Sequence, residues 1–283
     1  MNTDTIQAVA DVKLCCSCGA CALVCPRSAI SYSETVGGYL LPQIDAKACV
    51  RCGLCRSVCP GIGFAPGVTA RLPDDPFSGT AIETYVARAT DPELYANSQS
   101  GGIVSALLAD ALRTHRIIAA VTTVMAAGNP PKPVARLARN IGDIRQAQKS
   151  KYCPVPVLTL LREVERVEGP IAMVGLPCQI HGLCHLCEVL PWLKRKIGFT
   201  IGLICAHTLT LVAVDHLLRK ARVPAMGENT LHFRDKACGG YPGNVNVISS
   251  AGVSVSLPRG ARQAIQDLLV PARCRLCFDK MNV

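Results

Sequence analysis

Residues 15–26, Cys-Cys-Ser-Cys-Gly-Ala-Cys-Ala-Leu-Val-Cys-Pro, are answered 34 positions later by residues 49–60, Cys-Val-Arg-Cys-Gly-Leu-Cys-Arg-Ser-Val-Cys-Pro. Each copy reads C-x-x-C-x-x-C-x-x-x-C-P, a spacing that holds two [4Fe–4S] clusters. The cause is geometric. Three cysteines at intervals of three wrap a tight loop around one face of a cubane, and the fourth leads into a segment that points toward the other cluster. The expected ligand sets are therefore Cys15, Cys18, Cys21 and Cys59 for one cluster, and Cys49, Cys52, Cys55 and Cys25 for the other. Pro26 and Pro60 stop regular structure just after the fourth ligand.

Two simpler readings fit less well. A disulfide scaffold needs an oxidising compartment, and Met1 to Lys13 shows no basic segment followed by an apolar one, so no secretory signal is expected. Zinc sites use four ligands in two C-x-x-C pairs, which leaves half of each repeat unexplained. Seventeen cysteines without a signal point to a reducing cytoplasm. Cys16, wedged between ligands, reads as a bystander.

The chain has 283 residues, enough for a small cluster module and one further domain of about 200 residues. Hydrophobic residues make up 49% and charged residues 18%, so most of the chain packs. Aromatic residues are only 4%, which argues against a base-stacking nucleic-acid platform. The net charge is +10, with basic runs at Lys194-Arg195-Lys196 and at Arg219-Lys220-Ala221-Arg222. Such charge suits an acidic electron carrier or a polyanionic cofactor; solvated helix ends explain it equally well. The apolar windows 117–127 and 197–214 read as buried strands with flanking helix rather than membrane spans.

The expected organisation is an α+β ferredoxin-like two-cluster module over 1–66, a Gly- and Pro-rich linker over 67–80, and an α/β domain over 81–283. Strands are expected near 84–89, 117–124, 171–174, 198–205, 231–234, 245–249 and 253–257. Helices are expected near 103–113, 155–167, 179–190, 209–221 and 259–270.

Four stretches in the second domain carry chemistry. Ser98-Gln99-Ser100-Gly101-Gly102 leads into a helix whose first amides could take an anion, or whose start Ser100 could simply cap. Lys149-Ser150-Lys151-Tyr152, preceded by Gln148, is a basic loop suited to phosphate or to a solvated surface. Cys178 follows an apolar strand, where α/β sites gather. Cys274 and Cys277 form a late C-x-x-C.

In this order SQSGG (98–102), QKSKY (148–152), GLPCQI (175–180), IGLIC (201–205), FRDKACGGYPG (233–243) and CRLCFD (274–279) resemble the beta subunit family of coenzyme F420 hydrogenase and dehydrogenase. That family includes deazaflavin-linked flavoproteins and ferredoxin-dependent reductases of chlorophyll pigments. The resemblance covers the whole chain. It implies FAD in the second domain, making it an α/β flavin-binding domain, with Ser98, Gln99, Ser100, Gly101, Gly102, Lys149, Ser150, Lys151 and Tyr152 at the cofactor. It also implies one more [4Fe–4S] cluster, which residue types would build from Cys178, Cys205, Cys274 and Cys277. Cys184 and Cys187 form a competing C-x-x-C beside His181 and His185, open to a reading as buried helix thiols or as zinc ligands. Family members continue past the position of Val283, so weakened flavin retention is expected. The implied activity is oxidoreduction, with a small-molecule hydride donor or acceptor on one side and ferredoxin or another redox subunit on the other. A non-catalytic electron-relay subunit is the alternative. Neither nucleic acid nor a membrane is an expected partner.

Overall fold

The computed structural model describes residues 5–62, 81–223 and 227–281. The expected 67–80 linker and the boundary at 66 lie outside the described residues.

The sequence repeat is also a backbone repeat. After helix α1 (Gln7–Asp11), the first motif opens α2 (Ala20–Val24), and the second opens α3 (Leu54–Ser57). Ser17 and Arg51, at matching positions, are left-handed at φ 56 and 54, and Gly19 and Gly53 start the helices at φ 98 and 78. A left-handed step on each side of the second cysteine curls the chain so that its sulfurs face inward. Glycine takes that step freely; Ser17 and Arg51 take it at roughly 1–2 kcal/mol each. Ser17 is held by its hydroxyl donating to the Leu40 carbonyl. Between the motifs, β1 (Ile30–Glu34) and β2 (Leu40–Ile44) form one antiparallel hairpin with Ile30 opposite Ile44.

The body begins with α4 (Pro92–Asn97) and α5 (Ile103–Arg113). It continues through β3 (Ala119–Ala126), β4 (Lys132–Ala138), α6 (Ile141–Ala147), a 3-10 turn at Val157–Leu160, and α7 (Leu161–Val164). Then follow β5 (Ile171–Gly175), α8 (Pro177–Val189), α9 (Pro191–Lys196) and β6 (Ile197–Gly202). The sheet order is β4-β3-β5-β6, with β3, β5 and β6 parallel and β4 an antiparallel edge. The first half of β3 is continuously buried, as a strand covered on both faces must be.

After α10 (Val212–Ala221), β7 (Asn229–Asp235), β8 (Asn244–Ser249) and β9 (Ser254–Leu257) form a separate antiparallel meander. Burial along β7 alternates strictly, one face packing and the other facing out. Short helices α11 (Gly260–Gln263), α12 (Gln266–Leu269) and α13 (Ala272–Leu276) follow. The single α/β layer expected from sequence is thus a mixed sheet plus an α+β lobe.

Three expected elements change. Residues 84–88 are exposed and pair with no strand, because propensity supplies no partner. The 155–167 helix begins late and breaks into a 3-10 turn and α7, since Val155 precedes Pro156 and is driven out of helical backbone. The 259–270 helix is split at 264–265 into α11 and α12. The basic runs at 194–196 and 219–220 lie in the last turns of α9 and α10, where cations complement the helix dipole.

The cluster module and the body share one core. Cys18, Ala20, Leu23, Val24 and Val58 pack with Val121, Leu158, Leu161, Met173 and Leu186. The Leu158 amide donates to the Cys18 carbonyl at 2.9 Å, and the Arg162 guanidinium donates to the Ala22 and Leu23 carbonyls and to the Ser28 hydroxyl. No helix among the described residues is long and apolar enough to cross a membrane.

Candidate functional site

The N-terminal cysteines lie close together: Cys15 feels Cys16, Cys21 and Cys59, Cys55 feels Cys52, Cys49 and Cys25, and Cys21 also feels Cys55 across the two expected sets. Burial pushes Cys21 up to about 11 and Cys59 up to about 12, favouring their neutral thiols, and metal binding by such thiols releases protons. Backbone amides already aim at these sulfurs: Ser17 donates to Cys15, Ala29 to Cys25 and Gly61 to Cys59, each at 3.3 Å. The Tyr32 hydroxyl lies 3.3 Å from Cys21. Such N–H and O–H donors tune a cluster's potential. The second set rims a surface cleft of about 380 Å3 with Arg27 and Arg51, and Cys52 is exposed.

Cys178 and Cys205 come together for a topological reason. Strands β5 and β6 are parallel neighbours, so both end at the same sheet edge. Cys178 sits in the first turn of α8 after β5, and Cys205 lies three residues beyond β6. The chain end is tied to that edge. The Cys205 amide donates to the Lys280 carbonyl at 3.0 Å, Lys280 Nζ donates to the Ala206 and Cys274 carbonyls, and His181 Nε2 meets Asp279 at 3.0 Å. Cys274 and Cys277 are thereby delivered to the same place. All four sulfurs line one cleft of about 740 Å3 with Cys15, Cys16 and Cys153. Burial pushes Cys205 up to about 11. The Thr208 hydroxyl is 3.5 Å from Cys274 Sγ.

Cys16, read from sequence as a bystander, lines the same cleft as Cys15 and Cys178, and the neighbouring Cys178 and Cys18 thiols lower its own below the usual thiol range. It forms the wall between the Cys15 set and the Cys178 set. Buried polar atoms at this cleft without a hydrogen-bond partner among the described residues are His207 Nε2, Thr210 Oγ1 and Arg273 Nε. Burial, with Arg262 and Lys280 nearby, holds His207 below its usual value and so neutral. Among the described residues no three Cys, His, Asp or Glu side chains stand arranged to grip a single metal ion. An all-thiol ring of four suits an iron–sulfur cubane.

The loops expected at the flavin also converge. Asn97 Nδ2 donates to Gln148 Oε1 at 2.8 Å, Gln148 Nε2 to the Leu94 carbonyl at 2.9 Å, and the Ser150 amide to Gln99 Oε1 at 3.0 Å. Most of their side chains are spent on each other. The Ser98 hydroxyl donates to the Tyr95 and Ser100 carbonyls. Lys151 Nζ donates to the carbonyls of Ala147, Gln148 and Lys149, closing the end of α6, while burial and the Lys149 charge push it down to about 7. The glycines serve the protein as well: a β-carbon on Gly101 would meet the Ala87 carbonyl at 2.9 Å, and Gly102 has φ 76. Among the described residues no side chain caps the start of α5, and Ser100 and Ser150 lie on the two loops beside it. These suit a pyrophosphate.

A network that the sequence reading left unassigned braces these loops from β7. Lys236 Nζ donates to the Tyr95 and Ser100 carbonyls at 2.8 and 3.0 Å. Lys149 Nζ, His232 Nδ1 and Asp235 Oδ2 lie 3.0–3.2 Å apart. Burial would raise Asp235, but hydrogen bonds from His232 and Asn246 and the Lys149 charge hold it at about 2. Tyr152 links this region to the cysteine cleft, edge-on to Phe233, 6.5 Å from His207, and beneath the Arg262 guanidinium. The charged residues of β7 beside a glycine-rich turn were the available signal.

Comparison with known proteins matches residues 14–61 to a 4Fe–4S dicluster domain. Residues 84–162 and 169–283 match the N- and C-terminal parts of the coenzyme F420 hydrogenase/dehydrogenase beta subunit. A coenzyme F420-dependent sulfite reductase of Methanocaldococcus jannaschii is 27% identical over 230 residues, 76% of this chain and 34% of that one. A coenzyme F420 hydrogenase subunit beta of Methanosarcina barkeri is 30% identical over 155 residues, 50% of this chain and 52% of that one. The chain thus spans between a third and about half of these relatives' length. Among solved structures, a chain of the F420-reducing [NiFe] hydrogenase complex of Methanosarcina barkeri shares the fold, with TM-score 0.54 and 22% identity over 75% of this chain and 71% of that one.

Proposed function

Because this chain belongs to the coenzyme F420 hydrogenase/dehydrogenase beta subunit family and carries a 4Fe–4S dicluster domain ahead of it, we propose that it is an iron–sulfur flavoprotein oxidoreductase. It would exchange electrons between an organic hydride carrier of the coenzyme F420 kind and a one-electron redox partner. The observation that carries this reading is the shared cleft: four cysteines distant in sequence meet, and Cys15 and Cys16 of the two-cluster module form the facing wall.

In this reading Cys15, Cys18, Cys21 and Cys59 hold one [4Fe–4S] cluster, Cys25, Cys49, Cys52 and Cys55 a second, and Cys178, Cys205, Cys274 and Cys277 a third. The α5 amides with Ser100 and Ser150 hold the FAD pyrophosphate. When bound, FAD supplies two-electron hydride chemistry and the clusters one-electron exchange. The chain's own residues set distance and environment. The shared core fixes the module against the body, Cys18 and Cys21 of the first set are buried, and neutral His207 lies beside Tyr152 of the 148–152 loop at the cysteine cleft. The exposed face at Cys52, with Arg27 and Arg51, suits an acidic redox partner.

The test is anaerobic purification followed by iron, acid-labile sulfide and flavin analysis. About 12 irons and one FAD per chain match the reading; about 8 irons without flavin sink it. A second reading, a relay subunit without flavin, has one observation in its favour: Ser98, Gln99 and Lys151 are already spent on backbone partners. About 12 irons without flavin would select it.

A further inference from the structure

The junction between the Cys15 and Cys178 sulfur sets contains a cation that neither ligand set requires. Arg273 precedes Cys274 on α13 and lines the cleft with Cys178, Cys205 and Cys277. Its Nη2 reaches across to donate to the Pro60 carbonyl at 3.0 Å, next to Cys59. Its charge acts on both Cys59 and Cys16. Its Nε is buried and has no hydrogen-bond partner among the described residues. A guanidinium keeps its charge at any working pH, and burying one with a donor unspent is costly unless something negative is nearby. Lys280 and Asp279, also lining the cleft, lie on the Cys205 side, whereas Arg273 stands next to Cys274 on α13 and reaches Pro60 beside Cys59, touching both sets.

We propose that Arg273 is a positioning residue whose charge raises the reduction potentials of two clusters at once, those of the Cys15 and Cys178 sets, and keeps them matched across the Cys16 wall. Reduction adds one negative charge to a cluster, and a fixed cation beside it favours the reduced form. The Cys25, Cys49, Cys52 and Cys55 set lines a different cleft, whose lining does not include Arg273. It serves as the internal control. The inference rests on the three-cluster reading above.

The experiment is a redox titration followed by electron paramagnetic resonance on the anaerobically purified full chain, comparing wild type with Arg273→Gln and Arg273→Lys. The control couple is identified beforehand as the signal lost in Cys52→Ala. The expected result for R273Q is full iron content and a lower potential in two of three couples. The reduced-to-oxidised ratio at fixed potential falls about tenfold, or about 59 mV for one electron, more at the Cys15 set because Lys280 still serves the other. The control couple does not move. R273K retains wild-type potentials. Three couples moving together, only one moving, or none moving would overturn the proposal. If R273Q loses iron, R273K decides: full iron with unchanged potentials supports the role of charge, and any loss of iron or potential assigns Arg273 to structure alone. Wild type with fewer than about 12 irons refutes the three-cluster reading instead.

Discussion

Gly19 lies so close to Pro156 that a β-carbon on it would sit 2.8 Å from the Pro156 carbonyl oxygen and 2.8 Å from the Thr159 amide. Gly53, its partner in the sequence repeat, has nothing within 4 Å of the same position. Both have positive φ. The two glycines therefore separate the cost of turning from the cost of docking. Gly53→Ala should cost only the turn, roughly 1–2 kcal/mol. Gly19→Ala should add overpacking against the body, for a total of roughly 2–5 kcal/mol. Urea unfolding of the two variants checks this; equal losses would mean that the module does not dock through Gly19.

Iron content distinguishes the ligands from the other thiols. Cys205→Ser and Cys274→Ser should each lower iron by about 4 per chain, while Cys184→Ser and Cys187→Ser should leave it unchanged. Cys184 and Cys187 lie on α8 and do not line the cleft that gathers Cys178, Cys205, Cys274 and Cys277.

Acid should undo the brace on β7. Asp235 is held at about 2, against about 3.9 for a free aspartate. A depressed carboxylate stabilises the fold fully above its unfolded value, and that stability is lost as pH falls from about 4 toward 2. The gap in unfolding midpoint between wild type and Asp235→Asn should accordingly be wide at pH 7 and narrow at pH 3. A gap that does not change with pH would remove Asp235 from the acid response.

Lys151 resembles a phosphate ligand in sequence, yet it serves the backbone. Lys151→Met strips three carbonyls of their donor and should destabilise the protein by about 1–3 kcal/mol. Flavin per folded chain, read from its visible absorbance, should match wild type. A stable variant with no flavin would return Lys151 to the cofactor.

The eight N-terminal cysteines were legible because a ligand loop is a local object, with its spacing and its left-handed turns written within twelve residues. Cys178 and Cys205 were legible in kind, since both follow apolar strands, but their meeting depends on β5 and β6 being adjacent and parallel. Arg273 and Cys16 were not legible. Their roles come from contacts with Pro60 and Cys178, which no periodicity encodes. The loops at 98–102 and 148–152 show a related limit: a polar loop looks the same in sequence whether it faces a ligand or, as Gln99 and Gln148 do, bonds a neighbour. The extra lobe of β7 to β9 was read strand by strand, while its separation from the first sheet is a matter of pairing.

The cleft that joins the two ends of the chain also sets a timetable for biogenesis. Cys15 and Cys274 are about 260 residues apart, so at about 5–20 residues per second the wall carrying Cys15 and Cys16 emerges roughly 13–50 s before its counterpart. Cys178 and Cys205 emerge late in that interval, still ahead of Cys274 and Cys277. In the three-cluster reading, the Cys178 set can therefore be completed only once α13 has been made.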